Sequence, residues 1–502
     1  MNDVIDAFWE YERALMANDL PALDRLFLDD PSTLRGDAAG ILVGHDAISA
    51  FRLGRGGAPA RTIRHVEVVE AGPDAALVIA ITEPATGGRG QQSQLWIRVG
   101  DEWRVRAAHV SLPTPALNPA VWRVAGSPLV AGAGDGPLAG ETVAVKDLYS
   151  VAGFAVGAGN PTYLAGESPA QANAPAVQAL LDAGAAITGI AQTDEFAYSL
   201  AGRNEHYGTP PNPAVVAGVP GGSSSGPASA VALGQASIGL ATDTAGSVRV
   251  PASYQGLWGL RSTHGAVSGD GLLPLARTFD APGWITRSPG VLRRVVSASL
   301  TTHASAASFV VDPALAAEAE PDVRQAFEAF VGSRFETVEL GDAQEFFETF
   351  RTVQQAEAWR AHGPWIEAHP GALGDDVAGR FALASRVTPE QEDAARATLL
   401  RLALHLDEML GDRVLLLPTA SSVAPSITAD AELIERTRQG TLRMTAVAGI
   451  TGRPALSAPL LWVPQPGSLL PAPVGLCLVG PLNSELALID LALIELAESL
   501  AG

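Results

Sequence analysis

Between Leu112 and Pro119 three prolines fall within eight residues, in the run Leu112-Pro113-Thr114-Pro115-Ala116-Leu117-Asn118-Pro119. Proline lacks the N–H that a helix or a β-ladder uses, so neither element runs through such a stretch. The chain therefore reads as two folding units, 1–112 and 121–502, joined by a linker over 113–120. A length of 502 residues agrees with that division, since one domain holds roughly 100–200 residues.

The two sides of the seam carry different patterns. In front, Val4, Phe8, Tyr11 and Leu15 lie on one helical face, and a second short helix fits Pro21 to Phe27. From Thr62 onward the pattern is that of strands. Ala76 to Thr82 is an apolar run, and Leu95–Val99 and Trp103–Arg106 flank a Gly100-Asp101 turn, as in a hairpin. Helices followed by an antiparallel meander predict an α+β fold. Behind the seam, strand-like and helix-like stretches alternate to the end, an α/β pattern.

Composition removes several functions. The hydrophobic share of 47% supports a sizeable core, while 33 basic against 54 acidic residues leave a net charge of −21. That balance argues against nucleic acid and against an anionic membrane surface as partners. The single Cys477 excludes an internal disulfide and any cysteine-cluster metal site. His206 and His264 lack metal-ligand spacing, so neither a metal nor another cofactor is expected. No window is apolar enough to span a bilayer, and the acidic start is unlike a signal peptide; a cytoplasmic protein is expected.

Three segments behind the seam bear on chemistry. In Thr142-Val143-Ala144-Val145-Lys146, a short strand ends in a lysine, which is either a solvated charge or, if buried, a base with a lowered pKa. Gly221-Gly222-Ser223-Ser224-Ser225-Gly226-Pro227 reads either as a flexible linker or as the entry to a tightly packed small-residue helix ending near Gly234. It also contains Gly222-x-Ser224-x-Gly226, the nucleophile-elbow spacing, for which His264, His303, His362, His369 or His405 would have to supply the base. Thr242-Asp243-Thr244-Ala245-Gly246-Ser247-Val248-Arg249 is either an ordinary loop or a turn that sets backbone N–H groups beside a nucleophilic hydroxyl.

Taken together, these segments resemble the amidase signature family over residues 121–502. The further stretches Phe196-Ala197-Tyr198-Ser199, Asn204–Pro210 and His264–Ser268 bring it nearest to plant indole-3-acetamide hydrolases. The resemblance implies an α/β fold with a mixed central sheet flanked by helices. It also implies hydrolysis of a small linear amide to carboxylate and ammonia through an acyl-enzyme on a Ser–cis-Ser–Lys triad. Lys146, Ser223 and Ser247 match that triad, with the serines 24 positions apart. The oxyanion hole would be built from the backbone N–H groups of Thr244, Ala245, Gly246 and Ser247, with Ser224, Asp243 and Arg249 orienting the turn. One departure stands out: relatives carry two glycines before the nucleophile, where this chain has Ala245-Gly246. Alanine keeps its N–H, so the hole survives if its φ is negative. The acyl pocket is expected in the helical part around 340–440.

The front unit resembles the AtzH-like family through Tyr11-Glu12-x-Ala14-Leu15-x-Ala17-Asn18-Asp19, Thr33-Leu34-Arg35, Gly44–Ile48 and Phe51-Arg52. That resemblance implies a cone of helices on a curved antiparallel sheet, of the nuclear-transport-factor-2-like superfold. Relatives include a dicarboxyurea amidohydrolase whose pocket uses a tyrosine and an arginine, which Tyr11 and Arg35 match in type and position. Alternatively Tyr11 is core and Arg35 a surface charge, and the cone pairs the chain into a homodimer. Two readings compete with the simple amidase. One is a two-site hydrolase of carboxylated urea or ureido compounds; the other is a non-catalytic amidase-fold binding protein.

Overall fold

The apolar face at the start of the chain forms as the spacing predicts. Helix Asn2–Ala17 buries Val4, Phe8, Tyr11 and Ala14, and helix Leu20–Leu26 follows, its first turn capped by the Asp19 carboxylate on the Ala22 N–H at 3.1 Å. The computed structural model describes residues 2–37, 40–58, 60–84, 90–111, 118–465 and 470–501. They fall into two units, Met1–Ala116 and Leu117–Gly502. Of the expected linker, residues 113–117 lie outside the described residues. Asn118 closes a turn there, accepting from the Ala120 N–H at 3.0 Å.

The first unit builds a six-stranded sheet from β1 (Leu34–Asp37), β2 (Gly40–Val43), β3 (Arg61–Gly72), β4 (Ala75–Pro84), β5 (Gly90–Val99) and β6 (Glu102–Ser111), in the order β2-β1-β6-β5-β4-β3. The hairpin is where the sequence puts it: Val99 pairs with Glu102 across Gly100, whose φ is 64°. β3 to β6 pair antiparallel as the expected meander requires, but the sheet is not antiparallel throughout, because β1 runs parallel to β6. A tight turn forces antiparallel pairing; β1 and β6 are separated by most of the unit, so no turn sets their direction. Phe8, Leu23, Phe27, Val78, Trp96 and Val105 form the core.

The second unit centres on an eleven-stranded mixed sheet. Its strands are β7 (Trp122–Val130), β8 (Thr142–Lys146), β9 (Ala186–Ala191), β10 (Ile238–Asp243), β11 (Trp258–Arg261), β12 (Ala281–Thr286), β13 (Phe309–Val311), β14 (Glu336–Thr337), β15 (Val414–Pro418), β16 (Ala455–Val463) and β17 (Ala472–Val479). They are ordered β14-β13-β15-β17-β16-β11-β12-β10-β8-β9-β7. The three strands that matter, β9, β8 and β10, are mutually parallel, with Val143 level with Ile238 and Val145 level with Leu240. Their carboxyl ends are therefore side by side, the place where open α/β sheets gather functional groups. The Gly/Ser run is the entry to helix Ser225–Ala232, not a linker. Gly226 has to be glycine, because a Cβ there would collide with the Gln192 backbone. The helix stops at Gly234, whose φ of 75° accommodates the left-handed exit.

Among the described residues no helix is long and apolar enough to cross a membrane.

Candidate active site

Lys146 ends β8, flanked by β9 and β10, and its side chain is fully buried. Its register beside β10 sets the amine opposite Thr242. Lys146 Nζ lies 2.8 Å from Thr242 Oγ1 and 2.8 Å from Ser223 Oγ. Burial disfavours the ammonium and pulls the amine down to about 7, although Asp194, Asp243 and Asp280 favour the charge. A lysine at the end of an ordinary strand would be a solvated cation; this one is poised to exchange a proton near neutrality.

Ser223 follows two glycines, and the Gly222–Ser223 peptide is cis. Its carbonyl accepts from Thr193 Oγ1 at 2.9 Å and from the Asp194 N–H at 3.1 Å, which pins the backbone under the lysine. Asp194 itself accepts from Ser225 Oγ and the Gly202 N–H, both at 2.9 Å, and burial raises its carboxyl to about 6.

Ser247 sits on the turn that leaves β10, and that turn is wound around one carboxylate. Asp243 accepts from the N–H groups of Gly246 (2.9 Å), Val248 (3.1 Å) and Arg249 (3.3 Å), and from Arg249 Nε and Nη2 at 3.0 and 2.9 Å. Arg261 Nη1 adds a contact at 3.5 Å and also donates to the Asp243 carbonyl. Burial alone would raise this carboxyl, but the Arg249 guanidinium, helped by Arg261, holds it well below the usual carboxylate range. The two serine turns are joined by the Ser224 N–H donating to the Ser247 carbonyl at 3.3 Å. Thr445, on helix Ala431–Thr451, donates its hydroxyl to the Ala245 carbonyl at 2.8 Å.

The turn's backbone settles the alanine departure. The left-handed φ falls on Gly246, at 124°, and Ala245 is not among the non-glycine residues with positive φ. Of the four N–H groups expected to face an oxyanion, Gly246 is withdrawn, since Asp243 already takes it. Those of Ala245 and Ser247 make no hydrogen bond among the described residues. The Thr244 side chain donates to Asp280 Oδ1 at 2.6 Å.

Other candidates are placed elsewhere. Ser224 Oγ points back to the Thr242 carbonyl at 3.3 Å. His264, His362, His369 and His405 bond to the carbonyls of Arg277, Pro274, Trp365 and Leu340, while His303 is exposed. Burial also pushes His362 down to about 4. In the first unit Tyr11 is packed against Phe27 and Trp96, and burial raises its phenol. Arg35 pairs with Asp37 at 2.7 Å and lies over the Phe51 ring. No hydrogen bond joins Tyr11 to Arg35 among the described residues.

A narrow cleft opens at Ser247, lined also by Tyr198, Gln354, Arg438 and Leu442. Ala197 in its wall and the preceding Phe196 take left-handed backbone (φ 59° and 49°), held by the Phe196 N–H on the Ala158 carbonyl at 2.8 Å. The sequence singles out Tyr198 as part of a motif and gives no reason to choose Thr242, Asp194, Gln354 or Arg438. Single polar residues on a strand, a loop or a long helix have no spacing signal; only the fold brings them to the serines.

The Amidase family profile matches residues 120–358, and the AtzH-like profile matches residues 1–115. Amidase 1 of Arabidopsis thaliana is 34% identical over 407 residues, 73% of this chain and 93% of that protein. The 2-amino-5-chloromuconic acid deaminase of Comamonas testosteroni is 33% identical, over 71% of this chain and 81% of its own. Among solved structures, a vestigial protein complex bearing on the evolutionary origins of an s-triazine catabolic enzyme aligns with a TM-score of 0.65. It is 27% identical, over 71% of this chain and 83% of that one.

Proposed function

The chain belongs to the amidase family, hydrolases of amide C–N bonds, with an AtzH-like domain in front, and from that premise we propose a serine amidohydrolase in which Ser247 is the nucleophile, Ser223 the proton relay and Lys146 the base. The observation that carries the reading is the buried pair of Lys146 and Ser223, 2.8 Å apart, with the amine near 7. A neutral amine at that position accepts the Ser223 proton as Ser223 takes the proton of Ser247. The Ser247 oxygen then bonds to the amide carbonyl carbon. The oxyanion lies against the free N–H groups of Ala245 and Ser247. The proton returns through Ser223 to the leaving nitrogen, the C–N bond breaks and ammonia departs. Water repeats the sequence on the acyl-enzyme and releases the carboxylate.

A binding scaffold would have no use for a desolvated lysine, so this pair weighs against the non-catalytic reading. The test is ammonia release by the full chain across a panel of small primary and ureido amides, beside Ser247→Ala. Turnover that is lost in Ser247→Ala is expected; equal turnover in the variant would overturn the reading.

A further inference from the structure

The cleft at Ser247 holds a cation for which the hydrolytic reaction has no role. Thr445 touches the catalytic turn, and Arg438 stands seven residues earlier on the same helix. Two turns of helix place it about 10 Å along the axis, yet it still lines the cleft with Ser247. Arg438 also lines the neighbouring cavity, where Arg380 joins it.

The Arg438 side chain is only 14% exposed. A guanidinium has five N–H donors, and among the described residues Arg438 gives one, from Nη1 to Glu435 Oε1 at 3.2 Å. Arg380 is bound to Asp376 at 2.9 Å and lies 3.8 Å from Glu435. Glu435 and Asp376 are 43% and 57% exposed, so water screens their charge on the outer side. The cation is undercompensated within: burial, with Arg380 beside it, lowers Arg438 to about 10. Two further polar groups are idle. Gln354 and Tyr198, residues only 3% and 4% exposed, line the same cleft, and their side chains make no hydrogen bond among the described residues. Polar groups that line a cleft without a protein partner are placed to bind a ligand that supplies the acceptor.

We propose that this end of the cleft binds a carboxylate, so that the substrate is a short amide with an anionic terminus on its acyl side, gripped by Arg438 with Gln354 and Tyr198. The assignment rests on the serine-amidase reading of Ser247 and specifies which amide it takes. A carboxylate presents two acceptors to a guanidinium fork, which a neutral chain end cannot replace.

The full chain is assayed on succinamate and glutaramate against butyramide and valeramide, and the ratio of kcat/KM, anionic over neutral, is the readout. Wild type is expected to favour the anionic amides, and Arg438→Gln to reduce the ratio by about 100-fold. Arg443→Gln, on the same helix but outside the cleft, is expected to keep the wild-type ratio. Calorimetry with succinate and glutarate separates this inference from the catalytic one. Wild type binding these dicarboxylates more tightly than butyrate, through Arg438, would uphold the anion site even if no amide were hydrolysed, and would leave only the amidase reading to fall. Hydrolysis of amides with no preference for the anionic ones, or a ratio unmoved in Arg438→Gln, would overturn the anion site and leave the amidase reading standing. The wild-type binding comparison decides the matter even if Arg438→Gln does not fold.

Discussion

A buried lysine near 7 has consequences for both rate and stability. If neutral Lys146 is the base, kcat rises with pH through about 7 and levels off above it. Lys146→Ala is expected to lower kcat by roughly 10³-fold with the circular dichroism spectrum unchanged, and an activity loss that tracks a histidine instead would contradict the assignment. The stability effect has a definite sign. Between about 7 and the ordinary 10.5, the unfolded chain holds a proton on this amine that the folded chain has released. Stability therefore rises with pH across that window, by at most about 1.4 kcal/mol per unit. Lys146→Met abolishes activity and removes that slope, so denaturant titrations of the two proteins at pH 7 and pH 9 should show a difference that shrinks as pH rises. The neighbouring carboxylate behaves oppositely. Asp243→Asn leaves Arg249 and Arg261 buried without their counter-charge, and is expected to cost about 3–5 kcal/mol in the same titration. The nucleophile is read directly: a fluorophosphonate should label Ser247, and peptide mapping that puts the label on Ser224 would restore the elbow reading.

At the scale of elements, the turn after β10 carries the sharpest contrast. Gly246 has a φ of 124°, and a Cβ there would press on Val250 and Thr445 at 3.1 and 3.4 Å. Gly246→Ala should therefore lower the melting temperature, with strain of about 1–3 kcal/mol, and reduce kcat as the turn shifts. Ala245→Gly restores the commoner pair and should leave kcat within a few-fold, because Ala245 already has a permitted φ. Equal losses from both would show that side-chain bulk at this turn, not backbone geometry, sets the rate. This turn also marks what was legible beforehand. Lys146, Ser223 and Ser247 are singled out by the resemblance of their three segments to the amidase signature family, each segment alone leaving a bland alternative open, and the helix after Ser224 is visible because its residues are small. The parallel pairing of β1 with β6 is not, because register between strands far apart in the chain leaves no local trace. Arg438 is equally silent in the sequence, one arginine among several on helix Ala431–Thr451. Its meaning comes from the helix face that Thr445 fixes against the catalytic turn.

For the whole molecule, the question is whether the two units work separately. The first closes its core with Phe8, Phe27, Trp96 and their neighbours, and the second with residues of its own sheet and helices. Lys146, Ser223, Ser247, Gln354 and Arg438 all belong to the second. Each unit thus meets the requirement for folding alone. A chain beginning at Asn118 is expected to fold and to hydrolyse the same simple amides as the full chain, within a few-fold in kcat/KM. The first unit then has two possible roles, and Tyr11 and Arg35 separate them. If it docks a second copy, Tyr11→Phe and Arg35→Ala leave every hydrolytic rate unchanged, while the shortened chain runs as a smaller species in sedimentation. The placement of the two residues weighs against a catalytic role for them: Tyr11 is walled in by Phe27 and Trp96, and Arg35 is already paired with Asp37. If it is a second active site, those substitutions abolish turnover of a carboxylated urea and spare the simple amide. A shortened chain that is folded by circular dichroism yet inactive on all amides would contradict the independence of the second unit, and would assign the first a part in the Ser247 reaction itself.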